Sequence, residues 1–440
     1  MKAQLLTWFR TPPTRVDDVA MTVRDSRAAG TRGRGLLSFN VVLVVVAVGL
    51  FAIIDAADQR ISTNGGFGWV GLDYKTMLEG GWAKGEPNPA LRPMVVWLNV
   101  PAYEALAGDV IAAFIVMNYV YVGLLALAVC LLFDRYSQDT AAKILMVVNL
   151  FLCIATVKYV SYYPVGIDAG AYALLTLAVL AIVSGKRVLS TVCCSGAVLS
   201  REFGIAAVLF GIHRDLRLRV PLRRIAGTYA PVLLIAFGWR AIVSHQMAGP
   251  DSGGEIVSLA RLLNSLAYWW DPLFVLFFTY FLLTVFGGVS LFVVARAPDV
   301  WRCCRGEHEW FSFGLFVLGV AAMGDVDLWR YLAYLLPLFV MAFAVSARAL
   351  ELSRRRWMLA LIVCIATLLT QRPLQRMNTA TYFRDWFPYY IVRGDVPPEP
   401  TTSLYDVWRW RLLGTAALGV TIAAWRPPAR LRLPAVDREG

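Results

Sequence analysis

Long apolar stretches recur from one end of this chain to the other, and they limit the possible folds more than any other feature. Runs occur near residues 37–54, 110–133, 144–162, 168–185, 188–200, 203–212, 226–245, 272–295, 311–323, 331–347, 357–370 and 409–425. A bilayer core about 30 Å thick is crossed by about 20 apolar residues of helix. The predicted fold is therefore all-α: a polytopic transmembrane helical bundle of about twelve crossings, some of them short or broken. Composition points the same way. Of 440 residues, 58% are hydrophobic and only 16% charged, against about 45–50% and about 25% in soluble domains. An ordinary soluble enzyme, a disordered tail and a disulfide scaffold are excluded.

The formal charge is +12. In a bundle of this kind positive charge sets orientation rather than nucleic-acid affinity, and no nucleic-acid partner is expected. The polar segments are of two kinds. Short Arg-rich ones include 213–225 (HRDLRLRVPLRR at its core), 348–356 (RALELSRRR) and 426–440. Longer mixed or acidic ones are 55–109, 246–271 and 371–408. With the Arg-rich set inside, the chain divides into a basic cytoplasmic arm (1–36), a transmembrane domain (37–425) and a cytoplasmic tail (426–440). Both termini then face the cytoplasm of a bacterial inner membrane. The first apolar run follows a long Arg-rich stretch and has no cleavage-site pattern behind it, so it is read as a retained span. Tryptophans near run ends, such as Trp269, Trp270, Trp310 and Trp357, suit interfacial belts. The cysteines mostly lie inside apolar runs, as small hydrophobes do; Cys303 and Cys304 lack the spacing of a zinc site.

Two places break the simple alternation. Arg187 and Arg214 both belong inside, yet about 26 residues separate them, roughly 39 Å of helix at 1.5 Å per residue. Two full crossings do not fit, whereas two short helices with a buried tip do. That tip is Ser200-Arg201-Glu202-Phe203-Gly204. A second tip runs from Gly324 through Asp325, Asp327 and Arg330 to Tyr331. Irregular backbone at membrane depth is tolerated only where it lines a cavity or is buried in protein, and ionisable residues there are functional by default.

The first long outside segment, 55–109, contains GLDYKTMLEGGWAKGEPNPALRP. A short interfacial helix is expected over Tyr74–Trp82, broken by Gly80-Gly81 and Pro87–Pro89. Asp73 opens it, either as an N-cap or as a chemical group. The sequence order is a first span, G-x-D-Y, a short helix with a Gly-rich turn, and "RP" leading into the next helix. Asp168 then opens a span, and the "SRE" tip and "DLWRYLAYLLPLF" follow. In this order the chain resembles the polytopic glycosyltransferases of the GT-C superfamily, such as the bacterial polyprenyl-phosphate-sugar-dependent mannosyltransferases and arabinosyltransferases.

The resemblance implies inverting transfer of a sugar from a polyprenyl-phosphate donor to a glycolipid or polysaccharide acceptor on the outer face. It implies a catalytic acidic residue in the first outer loop. Asp73 is the best match, with Asp55 and Asp58 as rivals nearer the span end. A carboxylate there takes the acceptor's proton in the transition state, and arginine suits the departing lipid phosphate. Arg201, Arg330 and Arg92 are the candidates for that phosphate, with Lys158 as a further one. Glu202, Asp325, Asp327, Tyr74 and Tyr331 are candidate sugar- or acceptor-binding groups. The local alternatives are an arginine paired with Glu202 or Asp327, a capping Asp325 or Asp327, and a Lys158 that snorkels to the interface. No cofactor is required by this chemistry; a divalent metal is optional, since no pyrophosphate needs neutralising. The segment 371–408 has the composition of a lid. Two other readings stand beside this one: a secondary transporter or lipid-linked glycan flippase, and a membrane glycan polymerase or ligase.

Overall fold

The structure, a computed structural model, describes residues 30–58, 60–68, 70–84, 86–247, 268–323 and 328–350, together with 358, 360–362, 364–366, 409 and 411–417. Asp325, Asp327 and the segment 371–408 lie outside the described residues. The chain falls into two compact units, Met1–Val42 and Leu43–Gly440. In the first, the described residues 30–42 are helical throughout. The second carries the rest, and among its described residues every regular element is a helix and no strand occurs.

The main helices are α1 Gly30–Ala57, α2 Gly71–Gly80, α3 Pro93–Ala105, α4 Val110–Phe133, α5 Thr140–Leu150, α6 Asp168–Val183, α7 Arg187–Ser200 and α8 Ile205–Arg217. They continue with α9 Leu222–Met247, α10 Pro272–Thr284, α11 Val289–Ala295, α12 Ala297–Gly306, α13 Glu309–Met323, α14 Leu328–Leu332 and α15 Leu336–Leu350. Among the described residues, four helical stretches are long and apolar enough to cross a membrane: Phe39–Ala57, Val110–Phe133, Leu222–Met247 and Arg330–Arg348. A fifth arises if α10 and α11, bent by 97° at their junction, form one broken span. The bend falls where Gly287 takes φ +72°, a conformation that needs no Cβ. Four further apolar helices, α5, α6, α7 and α13, are shorter.

Local chemistry accounts for several boundaries. Asp109 caps α4 by accepting from the Ala112 amide at 3.0 Å, and Asp139 caps α5 by accepting from Ala142 at 3.0 Å, each satisfying a donor that the first turn leaves free. The expected loop helix is present but begins and ends earlier than Tyr74–Trp82. It is α2, it starts at Gly71, and Gly81 at φ +87° stops it. The run near 144–162 does not continue as one helix: α5 ends at Leu150, and a π-helical turn over Ile154–Lys158 precedes a short helix Tyr159–Tyr162.

The short helix pair expected around residue 201 is the central feature. Helices α7 and α8 meet at an irregular tip in which Arg201 is extended and Glu202–Gly204 make a single 3-10 turn. Ser200, Arg201 and Phe203 are buried at that tip. Gly204 presses so closely on its own hairpin that a Cβ would fall within the backbone of Ala197 and Val198. Helix α6 packs on α7 and α4, and α8 packs along α13. Glu309 in the first turn of α13 is fully buried and receives Arg214 at 3.0 Å and Arg217 at 2.7 Å from the last turn of α8. The hairpin that carries the Arg201 tip is thereby joined to α13 at its end away from that tip.

Candidate functional site

Asp168, the first residue of α6, is buried at the centre of a charged cluster. Its Oδ2 accepts from Arg330 Nε at 2.8 Å, and its Oδ1 accepts from the Tyr334 hydroxyl at 3.1 Å. Arg201 Nη1 lies 3.7 Å from the same Oδ1. One carboxylate thus holds two guanidinium groups brought from different hairpins. The arrangement is fixed from outside by rings: Phe203 stacks on Tyr334 at 4.2 Å, Tyr334 meets Tyr172 edge-on at 4.7 Å, and the Tyr172 hydroxyl donates to the Arg330 carbonyl at 3.0 Å. Arg201 lies over the Tyr331 ring at 5.7 Å, and Arg330 lies over Tyr159 at 5.5 Å.

The neighbouring residue of the tip extends the cluster. Glu202 receives a two-pronged contact from Arg92, Nε and Nη2 each at 3.2 Å, and its Oε1 lies 3.9 Å from Arg201 Nε. Arg92 stands immediately before Pro93 at the start of α3, so the first loop is tied to the tip. Three guanidinium groups meet two carboxylates, leaving one net positive charge.

Arg201 is 1% exposed, yet its Nε and Nη1 have no hydrogen-bond partner. Leaving a buried polar donor unsatisfied costs about 1–3 kcal/mol, more for a charged group, and is rare enough to call for a functional reason. The Tyr74 hydroxyl is likewise buried with no partner. It is within electrostatic reach of Arg92, Arg201, Arg330 and Asp168; burial pushes its phenol up, and the three arginines pull it back. Unused donors from the first loop and from the tip therefore converge on one place.

Helix α2 is held there by Tyr163, whose hydroxyl accepts from the Val70 and Gly71 amides at 2.8 and 2.9 Å. Gly68 is required beneath the same ring, which a Cβ would strike. Asp73 occupies the first turn of α2, half-buried, and is not its cap: Val70 is. Burial raises the Asp73 carboxyl above the ordinary range, and the negative charge of Glu86 raises it further.

The structure thus brings together Tyr74, Arg92, Arg201, Glu202, Arg330 and Tyr331, and sets Asp73 beside Tyr74 on α2. Lys158 has a different place. Its Nζ donates to Asp58 Oδ1 at 2.9 Å, both side chains are fully buried, and Ser161 donates to the other carboxylate oxygen at 2.7 Å. The rival Asp55 pairs with Arg60 at 3.1 Å and accepts from Tyr119. Sequence reading missed Tyr334 and gave Asp168 no role of its own, although an aspartate opening an otherwise apolar helix was a visible signal. Among the described residues no three His, Cys, Asp or Glu side chains group as metal ligands do. Cys303 faces the Met341 sulfur at 3.9 Å. No protein-family model matches the chain, and neither the curated proteins nor the solved structures give a match.

Proposed function

We propose that the protein is an integral-membrane, inverting glycosyltransferase of the GT-C type. It moves a sugar, mannose- or arabinose-like, from a polyprenyl-phosphate donor to a glycolipid or envelope-glycan acceptor. In this reading about twelve crossings, including the short pairs, traverse a bacterial inner membrane. Both termini are cytoplasmic and the site lies on the outer side. The observation that carries the proposal is Arg201, buried with two unsatisfied N–H donors beside Arg330, Arg92 and the unpartnered Tyr74 hydroxyl. Such a set awaits an anion rich in acceptor oxygens.

A sugar phosphodiester carries one negative charge, which the positive excess of the cluster complements. The acceptor oxygen attacks the anomeric carbon as the bond to the phosphate oxygen breaks. The electron pair leaves with the phosphate, and the acceptor's proton passes to Asp73. The departing monoester gains a second negative charge, which the fixed guanidinium groups stabilise. Glu202 and Asp168 hold those arginines in register and limit the net charge. No step requires a cofactor.

The test uses purified full-length protein with radiolabelled polyprenyl-phosphate sugars and a native lipid extract. Wild type is expected to move label into a new glycolipid. Asp73→Asn is expected to lose about 10²–10⁴-fold in rate, the usual size of a general-base contribution. Transfer that survives in Asp73→Asn would reassign the base. A wild type that neither binds nor transfers from any donor would overturn the proposal.

A further inference from the structure

Arg240 has no counterpart in the cluster just described. It lies on α9, a helix apolar enough to cross a membrane. Its position is about 18 residues after Leu222, roughly 27 Å along the axis at 1.5 Å per residue. That is close to the full thickness of a hydrocarbon core, so Arg240 stands at headgroup depth, opposite Arg223 and Arg224. Among the described residues it makes neither a hydrogen bond nor an ion pair, although its charge reaches Glu202. A half-buried arginine at that depth with no partner in the protein can take one from the anions of the headgroup layer.

The surroundings say what kind of partner fits. Trp239 meets Trp82 edge-on at 4.8 Å and Trp97 at 5.1 Å, and its indole donates to the Ala90 carbonyl at 2.9 Å. First loop, α3 and α9 are thereby joined in one aromatic wall beside Arg240. Leu234 and Phe237, at spacings of three before Arg240, are exposed and continue its stem as an apolar stripe along the helix. A cation at headgroup depth, an indole wall beside it and an apolar stripe leading away from it match a phosphate with a hydrocarbon tail.

We propose that Arg240, with Trp82, Trp97 and Trp239, forms a second anion subsite that binds the phosphate of a lipid, separate from the Arg201–Arg330 subsite. The tail lies along Leu234 and Phe237, and the phosphate meets the guanidinium. Resting on the glycosyl-transfer reading, this assigns a phosphate-bearing lipid as the acceptor. The binding itself is measurable without any transfer, so the two readings fail separately.

Native mass spectrometry of the full-length protein with farnesyl phosphate as probe tests it, with farnesol as the uncharged control. Wild type is expected to hold two farnesyl phosphates. Arg240→Gln is expected to hold one, with the second weakened at least about tenfold, the equivalent of one charge-assisted contact. Arg201→Gln is expected to lose the other. Arg240→Lys keeps the charge and is expected to hold two, which separates loss of the contact from loss of the fold. Excess phosphatidylglycerol distinguishes the source. If it displaces the Arg240-dependent equivalent, the site holds bulk phospholipid and the acceptor assignment falls; if it does not, the ligand is an isoprenyl phosphate, as the assignment requires. Two equivalents with unchanged affinity in Arg240→Gln, or loss of both in either single variant, would overturn the second subsite.

Discussion

Asp73 and Glu86 belong to the same loop, and the charge of one bears on the proton of the other. Burial and Glu86 both raise the Asp73 carboxyl. A base works deprotonated, so transfer is expected to fall as pH drops through that raised value. Glu86→Gln removes one of the two raising causes. Its acid limb should therefore move to lower pH, while the rate on the plateau stays close to wild type. A pH–rate profile of the two proteins checks this; an unmoved limb would mean that another group titrates. Stability takes the opposite sign: a carboxyl raised in the folded state makes folding slightly less favourable as pH rises through its value. Not every important residue was legible at this scale. Arg201, Arg92 and Glu202 stood out because charge is rare in such a chain. Asp168 looked like a helix start, and Arg240 was absorbed into the apolar run around it. Their roles depend on what faces them from other helices.

At the scale of elements, the tip between α7 and α8 decides the geometry of the site. The distance between Arg187 and Arg214 predicted two short helices with a buried turn, and two helices joined by a buried turn are what the chain forms. The turn itself is possible because Gly204 has no side chain to meet the Ala197–Val198 backbone. Gly204→Ala is expected to destabilise the protein by about 1–3 kcal/mol, as overpacking does. The change should be visible as a lower thermal midpoint. It should also displace Arg201 and Glu202, so anion binding ought to weaken in protein that remains folded. An unchanged midpoint would show that the hairpin opens easily. The length of α2 was less legible. Its start depends on Tyr163, some ninety residues away, whose hydroxyl takes up the first amides of the helix.

For the whole molecule, the division of Lys and Arg among segments makes a topological prediction. In a variant whose native cysteines are all replaced, Lys84→Cys in the first loop is expected to react with a membrane-impermeant maleimide in intact cells. Arg219→Cys, between α8 and α9, should react only after permeabilisation. Both native side chains are exposed, so failure to label reflects sidedness rather than burial. The reverse pattern would invert the topology and move the candidate site to the cytoplasmic face.

Read alone, the sequence determined that the chain is helical, apolar enough to enter a membrane and broken at a charged tip. Those properties follow from composition, period and helix length, which are local quantities. It also nominated arginines and acids, because an ion in an apolar segment is expensive wherever that segment packs. Only the tertiary structure decided which ions meet. Asp168 gathers Arg201 and Arg330, Glu202 takes Arg92, and Lys158 turns aside to Asp58. Pairings across 33 to 162 residues of chain depend on how helices lie against one another. No local pattern carries that information.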